Sequence, residues 1–336
     1  MRLRSLFGGV ALGVTLLTAQ MASAALVGFN SYTGNVALST DGIGTVGGNG
    51  VISASAPAGS TVVAAFLYTA TFDSSTVPTT VTLEGSPVTF TNTAPNATAC
   101  CNLRSHRADV TSVVASVING GAGGVYDFDY AEGGNNSFID GSALVVVYSN
   151  PSLPAASVGL LDGFADVDGD TTTVNFADAL NPAAPGFFAE MVLGIGFSCC
   201  NPADNTQSSR VEVNGMLLTE NAGLNDDSID ATAQNGNLFT IGSFDDGFSP
   251  ALPSYGEDRE RYDLSSFVTA GDTSIVVETF NASEDDNIFF AGFYVQGRAG
   301  FDEPPPPPSE VPLPAGGLLL LTGLAGLAVS RRKKSS

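Results

Sequence analysis

The chain has 336 residues, with 34 acidic residues against 12 basic ones, a net charge of −22, a single histidine and no tryptophan. Six of the basic residues sit at the termini, so the body sets 34 carboxylates against six arginines, with no lysine, for a charge of about −28. Such a body repels phosphate, which excludes nucleic acid and anionic membranes as partners, and it offers almost no histidine or lysine for catalysis.

The N-terminus opens with Met1-Arg2-Leu3-Arg4, an apolar run from Leu6 to Thr18, and then Ala22-Ser23-Ala24. A basic start, a short apolar stretch and a small-x-small site predict a cleaved signal peptide over residues 1–24, with the mature chain beginning at Ala25. From there to Gly300 no long stretch has a 3.6-residue apolar period. Short runs rich in Val, Thr, Phe and Tyr alternate instead with Gly, Asn, Asp and Pro: Thr61–Thr69, Thr80–Thr91, Ala143–Tyr148, Glu190–Phe197, Arg210–Thr219, Thr273–Phe280 and Asn287–Val295. This pattern predicts an all-β protein built as β-sandwiches of jelly-roll type. The length suits two of them.

Landmarks also repeat in order. Ala56–Gly59 before an apolar strand echoes Pro182–Gly186, and Val81–Gly85 echoes Val211–Gly215, each a strand running into a Gly turn. Arg107-Ala108-Asp109 ahead of Thr111-Ser112 echoes Arg261-Tyr262-Asp263 ahead of Ser265-Ser266, and Asp140–Tyr148 echoes Asp286–Val295. Two tandem domains are therefore expected, 25–155 and 156–300, with the boundary near Pro151 and Pro154. In each Arg-x-Asp element the Asp is suited to capping a short helical turn, and the Arg to bracing a loop or pairing with a carboxylate.

The four cysteines form two adjacent pairs, Cys100-Cys101 and Cys199-Cys200. In an exported chain they are expected to be oxidised, either as two vicinal disulfides or as bridges between the halves. Three pairings are open. A zinc site is disfavoured because adjacent cysteines chelate one ion poorly. Asp162, Asp166, Asp168 and Asp170 resemble the opening of a calcium loop, which makes calcium the one cofactor expected. The twelfth position from Asp166 is Ala177 and not Glu, so a complete EF-hand is excluded and further oxygens would come from distant loops such as Asp226-Asp227, Asp245-Asp246 or Glu284–Asp286. The bland alternative is a solvated acidic hairpin. His106, between Arg104 and Arg107, is expected in a loop, and no Gly-x-Ser-x-Gly or His-Glu-x-x-His motif occurs.

After Gly300 comes a proline-rich spacer, 301–310, whose run Pro304–Pro308 spans about 15 Å as polyproline. Then come Val311-Pro312-Leu313-Pro314-Ala315, an apolar stretch from Gly316 to Val329, and Arg331-Arg332-Lys333-Lys334. The basic end places the C-terminus of a membrane segment in the cytoplasm and the body outside. This tail, 311–336, resembles the PEP-CTERM class of bacterial sorting signals in its VPLPA variant. The resemblance implies recognition by exosortase in a Gram-negative bacterium that makes extracellular polysaccharide, with processing at or near Val311–Ala315. The body resembles paired β domains of exported bacterial surface proteins, which names no activity. The expected function is a structural or adhesive role, without catalysis, at the cell surface or in the extracellular matrix. Polysaccharide would be a partner, calcium would assist, and the membrane would be met only through the C-terminal segment. A lectin-like module is the alternative, and a carboxylate-based glycan-cleaving enzyme comes third.

Overall fold

A computed structural model describes residues 26–44, 48–72, 76–96, 102–134, 138–166, 168–196, 209–220, 222, 239–250, 259–282 and 287–301. They form a predominantly β protein in which every strand pairing is antiparallel. The strands, in chain order, are β1 (Val27–Gly34), β2 (Val36–Gly44), β3 (Asn49–Ala56), β4 (Thr61–Thr71), β5 (Thr82–Leu83), β6 (Ser86–Pro87), β7 (Asn92–Pro95) and β8 (Arg104–Asp109). Helix α1 (Thr111–Ile118) follows, then β9 (Gly124–Ala131), β10 (Ile139–Ser149), β11 (Ala156–Asp162), β12 (Asp170–Phe176) and β13 (Ala189–Gly196). The rest are β14 (Ser209–Val213), β15 (Met216–Glu220), β16 (Phe239–Ile241), β17 (Arg261–Asp263), a 3-10 turn at Ser265–Phe267, β18 (Ser274–Asn281), β19 (Asn287–Gln296) and β20 (Ala299–Phe301).

Four sheets result. One has the order β3-β9-β5-β6 and a second β2-β10-β4-β8-β7. The third runs β1-β11-β19-β13-β16, with β17 also on β13, and the fourth β15-β14-β18-β12-β20. Three apolar cores join them in series. Ile52, Leu83, Phe128 and Leu144 lie between the first and second sheets. Phe66, Tyr68, Val145, Phe289 and Phe290 lie between the second and third, and Met191, Leu193, Val213 and Phe293 between the third and fourth. The inner strands of the two central sheets, β10 and β19 among them, are therefore buried on both faces. β10 is buried at every position but its last, whereas β18 alternates strictly between half-buried and buried. That contrast follows from burying a strand on two sides or on one.

The strand orders of the two halves correspond. β2-β10-β4-β8 matches β11-β19-β13-β17, and β3-β9-β5-β6 matches β12-β18-β14-β15. The two stretches expected to run into Gly turns, Val81–Gly85 and Val211–Gly215, open tight hairpins, β5–β6 and β14–β15, so the runs Thr80–Thr91 and Arg210–Thr219 each hold a hairpin and not one strand. Their corners, Glu84-Gly85 and Asn214-Gly215, have φ of 51°, 66°, 51° and 73°, the left-handed pair that a two-residue turn requires. The clamps match too. Glu84 N–H donates to the Asp129 carbonyl (2.8 Å) while Glu84 Oε1 accepts the Asp129 N–H (2.6 Å). Asn214 does the same with Val276, at 2.8 and 2.9 Å.

β1 departs from this correspondence. It adds to β11 at the edge of the third sheet, then passes through Asn35 alone into β2 of the second. Its register shifts between Gly28 and Asn30, and at this bulge the Phe29 ring meets Phe66 edge-on at 5.3 Å.

Candidate functional site

The two Arg-x-Asp elements lie on corresponding strands, β8 and β17. Asp109 Oδ1 accepts the Thr111 N–H and Asp263 Oδ1 the Ser265 N–H, both at 2.8 Å, so each Asp, one residue before the N-cap positions Val110 and Leu264, takes up the first N–H of the helical turn that follows. The arginines reach different places. Arg107 crosses between sheets to pair with Asp162 at the end of β11, and its guanidinium lies 3.7 Å from the centre of the Phe29 ring. Burial pushes the Asp162 carboxyl above the ordinary carboxylate range, and the Arg107 charge opposes that shift. Tyr68 donates to the same carboxylate (3.5 Å) and is itself pushed up, first by burial and then by Asp162.

Arg261 stays within the second half. Its Nε and Nη2 hold both oxygens of Glu190 (2.8 and 3.2 Å), and Nη1 donates to the carbonyls of Phe244 (3.1 Å) and Asp246 (2.7 Å). Such a fork braces a loop and satisfies a half-buried carboxylate at once. The loop it braces also meets β2: Thr40 Oγ1 donates to the Gly242 carbonyl (2.6 Å), the Phe244 N–H to the Thr40 carbonyl (2.9 Å), and Ser243 Oγ to Asp41 (2.9 Å).

Beside this junction lies a cleft of about 220 Å³ lined by β2 (Ala37–Thr40), Ser55, Tyr148, Leu153, Glu190, Phe244, Arg261 and Tyr294. Tyr294 pairs with Phe188, ring centres 4.5 Å apart. Its phenol is pushed up to about 12 by burial, with Tyr148 and Glu190 adding to the shift, and Tyr148 is raised by burial and Glu190. Both phenols therefore stay protonated across the physiological range. Arg261 is the cleft residue that the sequence singles out; Tyr148 is a buried residue of β10, as the run Ala143–Tyr148 leads one to expect, and also lines the cleft. The signal that was present is a Tyr near the end of each long apolar strand, β10 and β19.

The candidate calcium ligands occupy the connection from β11 to β12. Because these strands belong to different sheets, that connection is a corner and not a hairpin. Asp162 is engaged by Arg107. Asp166 Oδ1 accepts the Asp168 N–H (2.9 Å), and Asp170 Oδ2 accepts the N–H groups of Asp166 (2.8 Å) and Leu26 (3.2 Å). Burial raises the Asp170 carboxyl, and the bonds from Asp166 and Leu26 oppose that. Among the described residues no three His, Cys, Asp or Glu side chains gather as a group able to hold a metal. Asp245 and Asp246 lie at the Arg261-braced loop, whereas Asp226, Asp227 and Glu284–Asp286 fall outside the described residues.

His106 is not in a loop. It lies on β8, fully buried, with Nε2 3.1 Å from Thr71 Oγ1 and Nδ1 2.9 Å from Thr93 Oγ1. β8 is paired on both sides, by β4 and β7, which draws the imidazole inside. Burial, with Arg104 adding, lowers it to about 4.

Cys100, Cys101, Cys199 and Cys200, residues 1–25, Val311, Pro312, Leu313, Pro314, Ala315, Arg331, Arg332, Lys333 and Lys334 lie outside the described residues. Two described residues on the N-terminal side of the cysteine pairs, Asn96 and Gly196, both meet Asn287. Asn287 pairs with Gly196 across β19 and β13, and its Oδ1 accepts Asn96 Nδ2 at 2.8 Å. Comparison with models of known protein families gives no match, and no characterised protein is significantly similar in sequence.

Proposed function

We propose that the chain is an exported, exosortase-sorted protein of a Gram-negative bacterium, displayed at the cell surface or released into the extracellular matrix, with a structural or adhesive role and no catalysis. The observation that carries this reading is the order of Val311–Ala315, an apolar stretch and Arg331–Lys334 at one end of a chain whose other end reads as a signal peptide. The corresponding strand orders support a body of two tandem, duplicated β-sandwich domains. Its arginines support a structural role, since Arg107 and Arg261 are spent on internal carboxylates. Exosortase is the partner during sorting and polysaccharide the partner afterwards.

Intact-mass spectrometry of the protein recovered from its host, envelope and medium separately, tests the proposal. The expected species begins at Ala25 and ends within Val311–Ala315, plus the mass of whatever is attached. A species that retains Arg331–Ser336 would overturn sorting in favour of a plain membrane anchor. Calcium assistance through Asp166, Asp168 and Asp170 is checked by following the melting temperature at millimolar calcium. A rise is expected, and no rise removes calcium from the function. The tyrosine-lined cleft favours the second reading, lectin-like recognition of matrix sugars.

A further inference from the structure

We infer that the cleft between β2, Tyr148, Glu190, Arg261 and Tyr294 is a binding site for one unit of a neutral saccharide. This deepens the adhesive reading and rests on it. Three features of the site carry the inference.

The first is hydrogen-bonding capacity that opens onto the cleft. Tyr68, Tyr126 and Tyr130 bond to Asp162, the Gly123 N–H and Ser142 respectively. Tyr148 and Tyr294, by contrast, make no hydrogen bond through their hydroxyls to any described residue, although both line the cleft. A phenol can donate and accept, so the pair offers the bifunctional contact that a sugar hydroxyl makes.

The second is charge. The Arg261 guanidinium is already committed to Glu190 and to the carbonyls of Phe244 and Asp246, which leaves no fork free for a carboxylate or phosphate. Glu190 in turn has both oxygens taken, so a cation finds no free anion there. In a body this acidic the potential around the cleft disfavours anionic ligands further. A neutral ligand is what remains.

The third is shape. Leu38, Leu153, Phe244 and the Tyr294 ring give the cleft apolar walls, while Ser55 adds a hydroxyl beside the two phenols. A pyranose has this division, C–H faces and hydroxyl edges. At about 220 Å³ the cleft lies below the usual range for drug-sized ligands, which suits one ring of a longer chain.

The test is saturation-transfer-difference NMR on protein purified from cells expressing the full chain. The probes are glucose, galactose, mannose and N-acetylglucosamine, with glucuronate and glucosamine as charged counterparts. The expected result is saturable transfer to at least one neutral sugar, weakened roughly threefold to tenfold in Tyr148→Phe and again in Tyr294→Phe. The charged counterpart should bind more weakly. Both substitutions keep the rings, and an unchanged melting temperature shows that the variants are folded. No transfer to any neutral sugar, undiminished transfer in the Tyr148→Phe/Tyr294→Phe double variant, or stronger binding of glucuronate would each overturn the assignment. Absent sugar binding with a tail processed at Val311–Ala315 would sink the cleft alone. Sugar binding by a chain that keeps Arg331–Ser336 would uphold the cleft and sink the sorting reading.

Discussion

The two halves of the molecule share a strand order and differ in how they close its open edges. In the first half the outward N–H groups of Ser53 and Ser55 on β3 are taken by side chains of β2, the Asp41 carboxylate and Ser39 Oγ (2.9 Å for the serine). In the second half the corresponding strand, β12, carries β20, and β11 carries β1. Ser39 and Ser157 hold the same register position. Ser39 caps a bare edge, whereas Ser157 Oγ accepts the N–H of Ala299 on the added strand (2.9 Å). An unpaired edge invites pairing with another chain, so each half blunts it. Closure by a side chain buries a charge: Asp41 is pushed up to about 6 by burial, against the bonds from Ser53 and Ser243. Closure by a strand meets the edge with backbone partners instead. Topology is thus held in common while edge chemistry varies.

The comparison is broken most severely at the shared central core. Phe289 is fully buried between the second and third sheets, against Tyr68 and Phe239. Phe289→Ala should cost about 3–5 kcal/mol. Because that core belongs to both halves, thermal unfolding should remain one cooperative transition in the parent and the variant, as calorimetry would show. Two separated transitions would mean that the halves are independent.

The next effect is confined to the first half and follows pH. The folded pKa of His106, about 4, lies below its ordinary 6.5, so the neutral imidazole contributes stability above about 6.5 that is lost as pH falls towards 4. The loss should reach about 3 kcal/mol, and His106→Gln should remove that part of the acid limb in denaturant titrations. Asp41 has the opposite sign. Its folded pKa, about 6, lies above the ordinary 3.8, so its contribution is greatest at low pH and is lost as pH rises through 6. Asp41→Asn should remove this opposing slope.

Arg107→Met and Arg261→Met sharpen the contrast between clamps. Arg107 joins sheets of different halves and holds Asp162, which is only 15% exposed, so its loss should cost about 2–3 kcal/mol. Arg261→Met should instead free the Phe244–Asp246 loop, read as faster amide exchange there. Smallest are the paired turn caps. Asp109→Ala and Asp263→Ala should each cost about 1 kcal/mol, nearly additively, by thermal melts of the single and double variants.

Much of this was legible in the residues. Glu84-Gly85 and Asn214-Gly215 marked two hairpin corners, and Arg107-Ala108-Asp109 and Arg261-Tyr262-Asp263 marked equivalent strands, because turn and cap chemistry is local. The partners of those arginines were not legible. Asp162 and Arg107 are 55 residues apart and Glu190 and Arg261 are 71 apart, and nothing in the spacing selects one carboxylate among 34. The four acidic residues of the β11–β12 corner looked alike in sequence, yet one became an ion-pair partner and two became acceptors of backbone N–H groups. A clue to the stacking was present in the unbroken apolar runs of β10 and β19, since a strand buried on both faces has no reason to alternate.

The sequence by itself determined the all-β class, the turn positions, the order of the repeated landmarks and the chemical character of both termini, because each depends on residues close along the chain. Tertiary structure alone decided that the sheets stack in four layers, that the first and last described strands close the second half, and that Tyr148 and Tyr294 share a cleft. Those outcomes depend on which buried faces meet. Alternation tells a strand how many faces to bury, and only the packed molecule decides against what.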